Sequence, residues 1–141
     1  MSKWAEPYMT LTFRDGGRDF PAVDCWGMVR LVLAREAGIE LPTYGDIPAR
    51  ALLKIARQMG SDHALPPWVP VTGERKAFDV VTMTANPGAS CPRRAIVHVG
   101  ILTGPDRVLH IEEGAGVQHL PLHHASIKTR IAGFHRHEAL A

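Results

Sequence analysis

The sequence predicts an α+β domain, with N-terminal helices packed on a C-terminal antiparallel sheet of about five strands. Two observations predict it. Apolar residues recur at helical spacing in the first part of the chain, and past residue 73 they alternate in short runs separated by turn signals. The length of 141 residues suits a single domain over 1–141, large enough to bury a core without metal or disulfides. A 45% hydrophobic and 21% charged composition excludes a disordered chain, and no apolar run is long enough for a transmembrane helix. The net charge of +2 is too small to argue nucleic-acid binding.

In chain order, residues 1–24 read as an irregular or short helical lead-in bearing Trp4, Tyr8, Phe13 and the turn pair Gly16-Gly17. Asp24 stands as N-cap to a helix over 25–37, which Gly38 closes. A second helix is expected after Asp46-Ile47-Pro48, with Leu52, Leu53, Ile55, Ala56 and Met59 as its apolar face. Residues 60–73 hold three prolines without periodicity and read as loop. Strands are expected at Phe78–Met83, Ala95–Leu102, Arg107–Ile111, Val117–Leu120 and Ile131–Arg136. No repeat, low-complexity tract or interdomain linker interrupts them.

Three residues stand out for chemistry. Cys25 opens the first helix, where free N–H groups and the dipole favour a thiolate and lower its pKa. On the run Val97-His98-Val99-Gly100-Ile101, His98 and Gly100 share one face. A tight turn at Gly104-Pro105 that sets residue 102 opposite 106 sets His98 opposite His110, on the same face. A histidine oriented by a second histidine, beside a helix-initial cysteine, is the pattern of a nucleophilic triad. The other histidines (His63, His119, His123, His124, His135, His137) lack metal-ligand spacing and read as solvated positions, so no metal is expected. Cys91 lies in a loop between Ser90 and Pro92 and reads as a bystander.

The segment Asp24-Cys25-Trp26-Gly27-Met28-Val29-Arg30 resembles the D-C-[SW]-G-L-V helix opening of the NlpC-type, papain-like cell-wall peptidases. His98-Val99-Gly100-Ile101 resembles their H-V-G-I strand, and His110 falls where their third polar residue falls. Phe78-Asp79-Val80-Val81 and Ala132-Gly133-Phe134-His135-Arg136 are similar to two further strands, so the likeness covers roughly residues 12 to 136 in the family's order. Trp26 and the exit Gly38-Ile39-Glu40-Leu41-Pro42 look most like the short branch found in phage tail-tip assembly proteins.

The resemblance implies a papain-like fold and a cysteine peptidase without cofactor, with Cys25 as nucleophile, His98 as base and His110 as orienting group. The Cys25 N–H would serve the oxyanion, and Asp24, Trp26, Phe13 and Tyr8 would surround the substrate. That substrate would be an amide of the peptidoglycan stem peptide, commonly the D-γ-glutamyl–diamino acid bond. One departure stands out: the family's P-Y-x-x-G-G tyrosine is replaced by Phe13, which cannot donate a hydrogen bond, leaving Tyr8 to substitute. The expected setting is a phage virion tail tip, the protein being made in the host cytoplasm without a signal peptide. Other tail-tip proteins would dock on the loop Leu65–Pro70, with its Trp68, and on the His-rich C-terminal strand. A structural tail subunit with weak catalysis and a thiol acyltransferase are the alternatives.

Overall fold

The computed structural model describes residues 3–41, 68–84 and 96–141. The lead-in is ordered: a 3-10 helix over Lys3–Thr10 precedes a small sheet of β1 (Thr12–Phe13), β2 (Arg18–Asp19) and β3 (Ala22–Val23), in the order β1-β3-β2. The helix α1 then runs Cys25–Ala37. Asp24 caps it by accepting from the Gly27 N–H at 2.8 Å, and Gly38 ends it at φ 68°, a conformation glycine takes without strain. The expected second helix and Cys91 lie outside the described residues.

The main sheet has six strands: β4 (Trp68–Pro70), β5 (Val80–Thr84), β6 (Ile96–Gly104), β7 (Arg107–Glu112), β8 (Gly116–Pro121) and β9 (Ile131–His137). Their order is β4-β9-β5-β6-β7-β8, every neighbouring pair antiparallel. The sequence reading missed β4, which pairs with β9 as an edge strand, where Pro70 is tolerated. β5 starts two residues later than expected. Phe78 (φ 74°) turns the chain, and the buried Asp79 carboxylate fixes the turn by accepting from Lys76 N and, at 2.7 and 2.8 Å, from Arg136.

The pleat divides the core in two. Val80, Val99, Ile101, Leu109 and Ile111 pack with α1, whereas Val81, Met83, Leu102 and Val108 pack with Leu122 and Ile127 on the other face. Trp68 is half-buried against the α1-side core and meets the His137 ring edge-on at 5.5 Å. Its ring folds onto the core. Among the described residues no helix is long and apolar enough to cross a membrane.

Gly27 lets α1 approach the small sheet. A Cβ there would lie 2.1 Å from the Gly17 carbonyl oxygen, a backbone atom that cannot swing aside. Gly27→Ala should therefore cost about 1–3 kcal/mol or more by overpacking. The measurement is the thermal midpoint, and an unchanged midpoint would show that α1 is not seated this closely.

Candidate active site

Cys25 is the first residue of α1 and is only 3% exposed. Its sulfur faces the backbone N–H groups of Val99 and Trp26. Burial nevertheless pushes the thiol up to about 12; those two N–H groups pull it down, but the Asp24 and Glu112 carboxylates add to the rise. The expectation of a lowered thiol is thus overturned. A helix start stabilises a thiolate that water can also reach, and this one is largely withdrawn from water.

His98 and His110 share one face, as the alternation predicts. Their rings meet with His98 Nε2 2.8 Å from His110 Nδ1 and the planes at 71°. The register differs from the expected one by two residues. Ile101 faces Leu109 and Leu102 faces Val108, which sets Gly100 opposite His110. A Cβ on Gly100 would lie 3.1 Å from the His110 Cβ and 2.7 Å from Val108 Cγ2, so the bare glycine gives His110 room to lean diagonally onto His98.

The pairing of β6 with β7 ends at Ile101/Leu109. Beyond that point β6 keeps β5 as its partner to Thr84/Ile96, and β7 keeps β8 to Glu112/Gly116. The two strands fork, and the fork holds His98, His110, Glu112 and the Val99 N–H that faces Cys25.

Both imidazoles are neutral at ordinary pH. Burial holds His98 down at about 3, helped by His110 and Arg130 and opposed by Glu112. Burial likewise holds His110 down at about 4. In the tautomer that makes His98 a base toward sulfur, His98 Nε2–H donates to His110 Nδ1 and His110 carries its proton on Nε2. That Nε2 is buried with no partner among the described residues.

Behind the histidines lies an ion pair that sequence reasoning missed. Arg130 donates to both Glu112 oxygens, at 2.8 and 3.0 Å, and Glu112 Oε1 is 3.8 Å from His110 Nδ1. Burial is the largest single influence and raises the Glu112 carboxyl, but the Arg130 hydrogen bonds together with the charges of Arg130 and of the two histidines outweigh it and the net shift is downward. The only signal in the sequence was the i, i+2 spacing of His110 and Glu112 on one strand face. His98, His110 and Glu112 bring ligand atoms within 4.8 Å of one another. A cation fits poorly there, since Arg130 holds both carboxylate oxygens and the two ring nitrogens already share a proton.

Of the residues expected around a substrate, Asp24, Trp26 and Tyr8 are buried with other partners. Asp24 is fully buried, accepting from Gly27 N, Gly16 N and Arg18, so it builds the helix start and presents no free oxygen to a ligand. Trp26 is in the core, because each helical residue turns about 100° from the last and the next residue after Cys25 points into the packed interior. Tyr8 is fully buried and donates to Glu36 Oε2 at 2.6 Å, near the far end of α1, about 16 Å along the axis from Cys25. It does not replace the missing tyrosine. Phe13 is half-buried on β1 against the α1-side core.

A family model described as the NlpC/P60 family matches residues 10–136. The chain belongs to the NlpC/P60 family. Solved structures give the same fold at low identity. NlpC2 from Trichomonas vaginalis aligns over 96% of this chain and 44% of its own, at 13% identity and TM-score 0.64. A lipoprotein-like NLP/P60 protein from Staphylococcus aureus aligns over 94% and 38%, at 20% identity and TM-score 0.61. This chain thus spans less than half of either. The NlpC/p60 domain of the peptidoglycan hydrolase SagA aligns over 94% of this chain and 91% of its own, at 19% identity and TM-score 0.56. No curated protein matches by sequence. These likenesses establish the papain-like α+β fold of an NlpC/P60 domain.

Proposed function

We propose that this domain is a cysteine endopeptidase that hydrolyses an amide of the peptidoglycan stem peptide. The D-γ-glutamyl–diamino acid bond is the favoured target. The observation that carries the reading is the 2.8 Å contact of His98 with His110 at the strand fork, beside the Val99 N–H that faces the Cys25 sulfur. The family supports it, and so does the likeness to a domain of a named peptidoglycan hydrolase. The resting pair is a neutral thiol and a neutral imidazole. In the proposed step, His98 Nδ1 takes the proton as sulfur attacks the carbonyl carbon, and the Cys25 N–H receives the developing oxyanion. His98 then returns the proton to the leaving amine, and water releases the acyl group.

The proposed setting is the phage tail tip. It rests on the resemblance of Cys25-Trp26 and the Gly38–Pro42 helix exit to that branch. Tail-tip proteins would be the partners and the virion the location. Mass spectrometry of purified muropeptides incubated with wild type and Cys25→Ala is the test. Cleavage by the wild type alone is expected. Intact substrate in both would overturn the reading in favour of a structural subunit, and an acyl group moved to a second amine would favour a transferase.

A further inference from the structure

Glu112 and Arg130 form a buried unit that the Cys–His–His reading leaves unused. Arg130 is 3% exposed, and besides gripping Glu112 it donates Nε–H to the Thr84 carbonyl at 3.0 Å. That carbonyl ends β5, and Arg130 closes the 3-10 turn Lys128–Arg130 that leads into β9. The guanidinium therefore ties β5, β7 and the approach to β9 together, and it holds the carboxylate beside His110 in one orientation. Glu112 lies on the same face of β7 as His110, two residues on, at the mouth of the fork.

A Cys–His–His set lacks something that a triad ending in aspartate has. When the base takes the thiol proton, a cation forms in a largely buried site, and a neutral second imidazole cannot offset its charge. We propose that Glu112, clamped by Arg130 beside His110, is the anionic positioning residue of this site: its charge offsets the imidazolium formed on His98 when the proton moves. The inference rests on the proposed reading of Cys25, His98 and His110 as the reacting set. The charged groups around His98 agree with this assignment. His110 and Glu112 come from β7 and Arg130 from the turn, and Glu112 is the one anion in ion-pair range of His110 among the described residues.

The test needs no substrate. In alkylation by iodoacetamide, the Cys25 sulfur forms a bond to the methylene carbon, iodide leaves with the C–I electron pair, and the thiol proton passes to His98. Peptide mapping separates Cys25 from Cys91, and the thermal midpoint is read alongside. Glu112→Gln keeps the shape and an acceptor for Arg130 but removes the charge. It should slow alkylation about tenfold or more, an opposite charge at this range being worth about 1–3 pKa units. Glu112→Asp keeps the charge and should stay within a few-fold of wild type. The exchanged pair Glu112→Arg with Arg130→Glu restores an ion pair but reverses the charge beside His110, so it should regain the midpoint and stay slow. A folded Glu112→Gln that alkylates at the wild-type rate would overturn the proposal. So would a Glu112→Asp as slow as the amide, or an exchanged pair that recovers speed. Failure of muropeptide cleavage with these rates as expected would count against the substrate and leave the proposal standing.

Discussion

Cys25→Ser and His98→Ala are each expected to abolish turnover of muropeptides almost completely, by about 10³-fold or more. The combination should add little. In the proposed mechanism the two groups act in one event, since the thiol is neutral until His98 takes its proton. With the thiol pushed up to about 12, almost no thiolate exists at neutral pH to react without the base. His110→Ala should cost less, about 10–10²-fold, because it removes the 2.8 Å contact that fixes the His98 ring without removing the base. The measurement is kcat on a defined muropeptide, with circular dichroism to show that each variant is folded. If the double variant lost the product of the single losses, Cys25 and His98 would be acting in separate steps. If His110→Ala matched His98→Ala, the roles of the two histidines would be reversed.

Local chemistry made part of this molecule legible. Asp24 and Gly38 bracket α1 because an Asx cap and a left-handed glycine end are encoded within a turn of the helix itself. The strand alternation put His98 and His110 on one face, and they stay there because the register differs by two residues, which keeps the parity of the pleat, where a slip of one would have parted them. What depended on distant partners was not legible. β4 exists because β9, more than sixty residues on, offers it an edge, and Trp68-Val69-Pro70 has no strand signal of its own. The hairpin register differs by two because the chain turns between Gly104 and Arg107, later than a turn that pairs Leu102 with Asp106, and the irregularity between Leu102 and Gly104 takes one residue of that shift back. That slip hid Glu112, which the true register brings to His98's end of the fork, and Arg130 arrives there from a turn with no motif. Asp24, Trp26 and Tyr8 were expected near substrate from the family resemblance, Tyr8 as a stand-in for the missing tyrosine. Burial decides otherwise for each.

The same burial that keeps the site neutral makes stability depend on pH, and the second large effect is expected there. His98 and His110 titrate at about 3 and about 4 when folded, against 6.5 as the ordinary value. As pH falls below about 6.5 the unfolded chain takes up protons that the folded chain refuses, so stability is full above that value and drains away toward pH 4 and 3. Glu112 acts with the same sign at lower pH, its carboxyl being held below 4.5 in the fold. His119 and His137, both lowered by burial, add to the slope. On the alkaline side Cys25 has the opposite sign: it titrates at about 12 folded and 9.0 when exposed, so stability declines above pH 9. The two histidines together should remove about 2–5 kcal/mol between pH 7 and 4, which is comparable to the whole stability of a small domain. Acid should therefore inactivate this domain by unfolding it before His98 is protonated in the fold. Thermal midpoints at pH 7, 6, 5 and 4 measure the effect, and His98→Gln with His110→Gln should flatten most of the decline. Midpoints that fell in parallel for wild type and the double variant would place the acid sensitivity elsewhere in the chain.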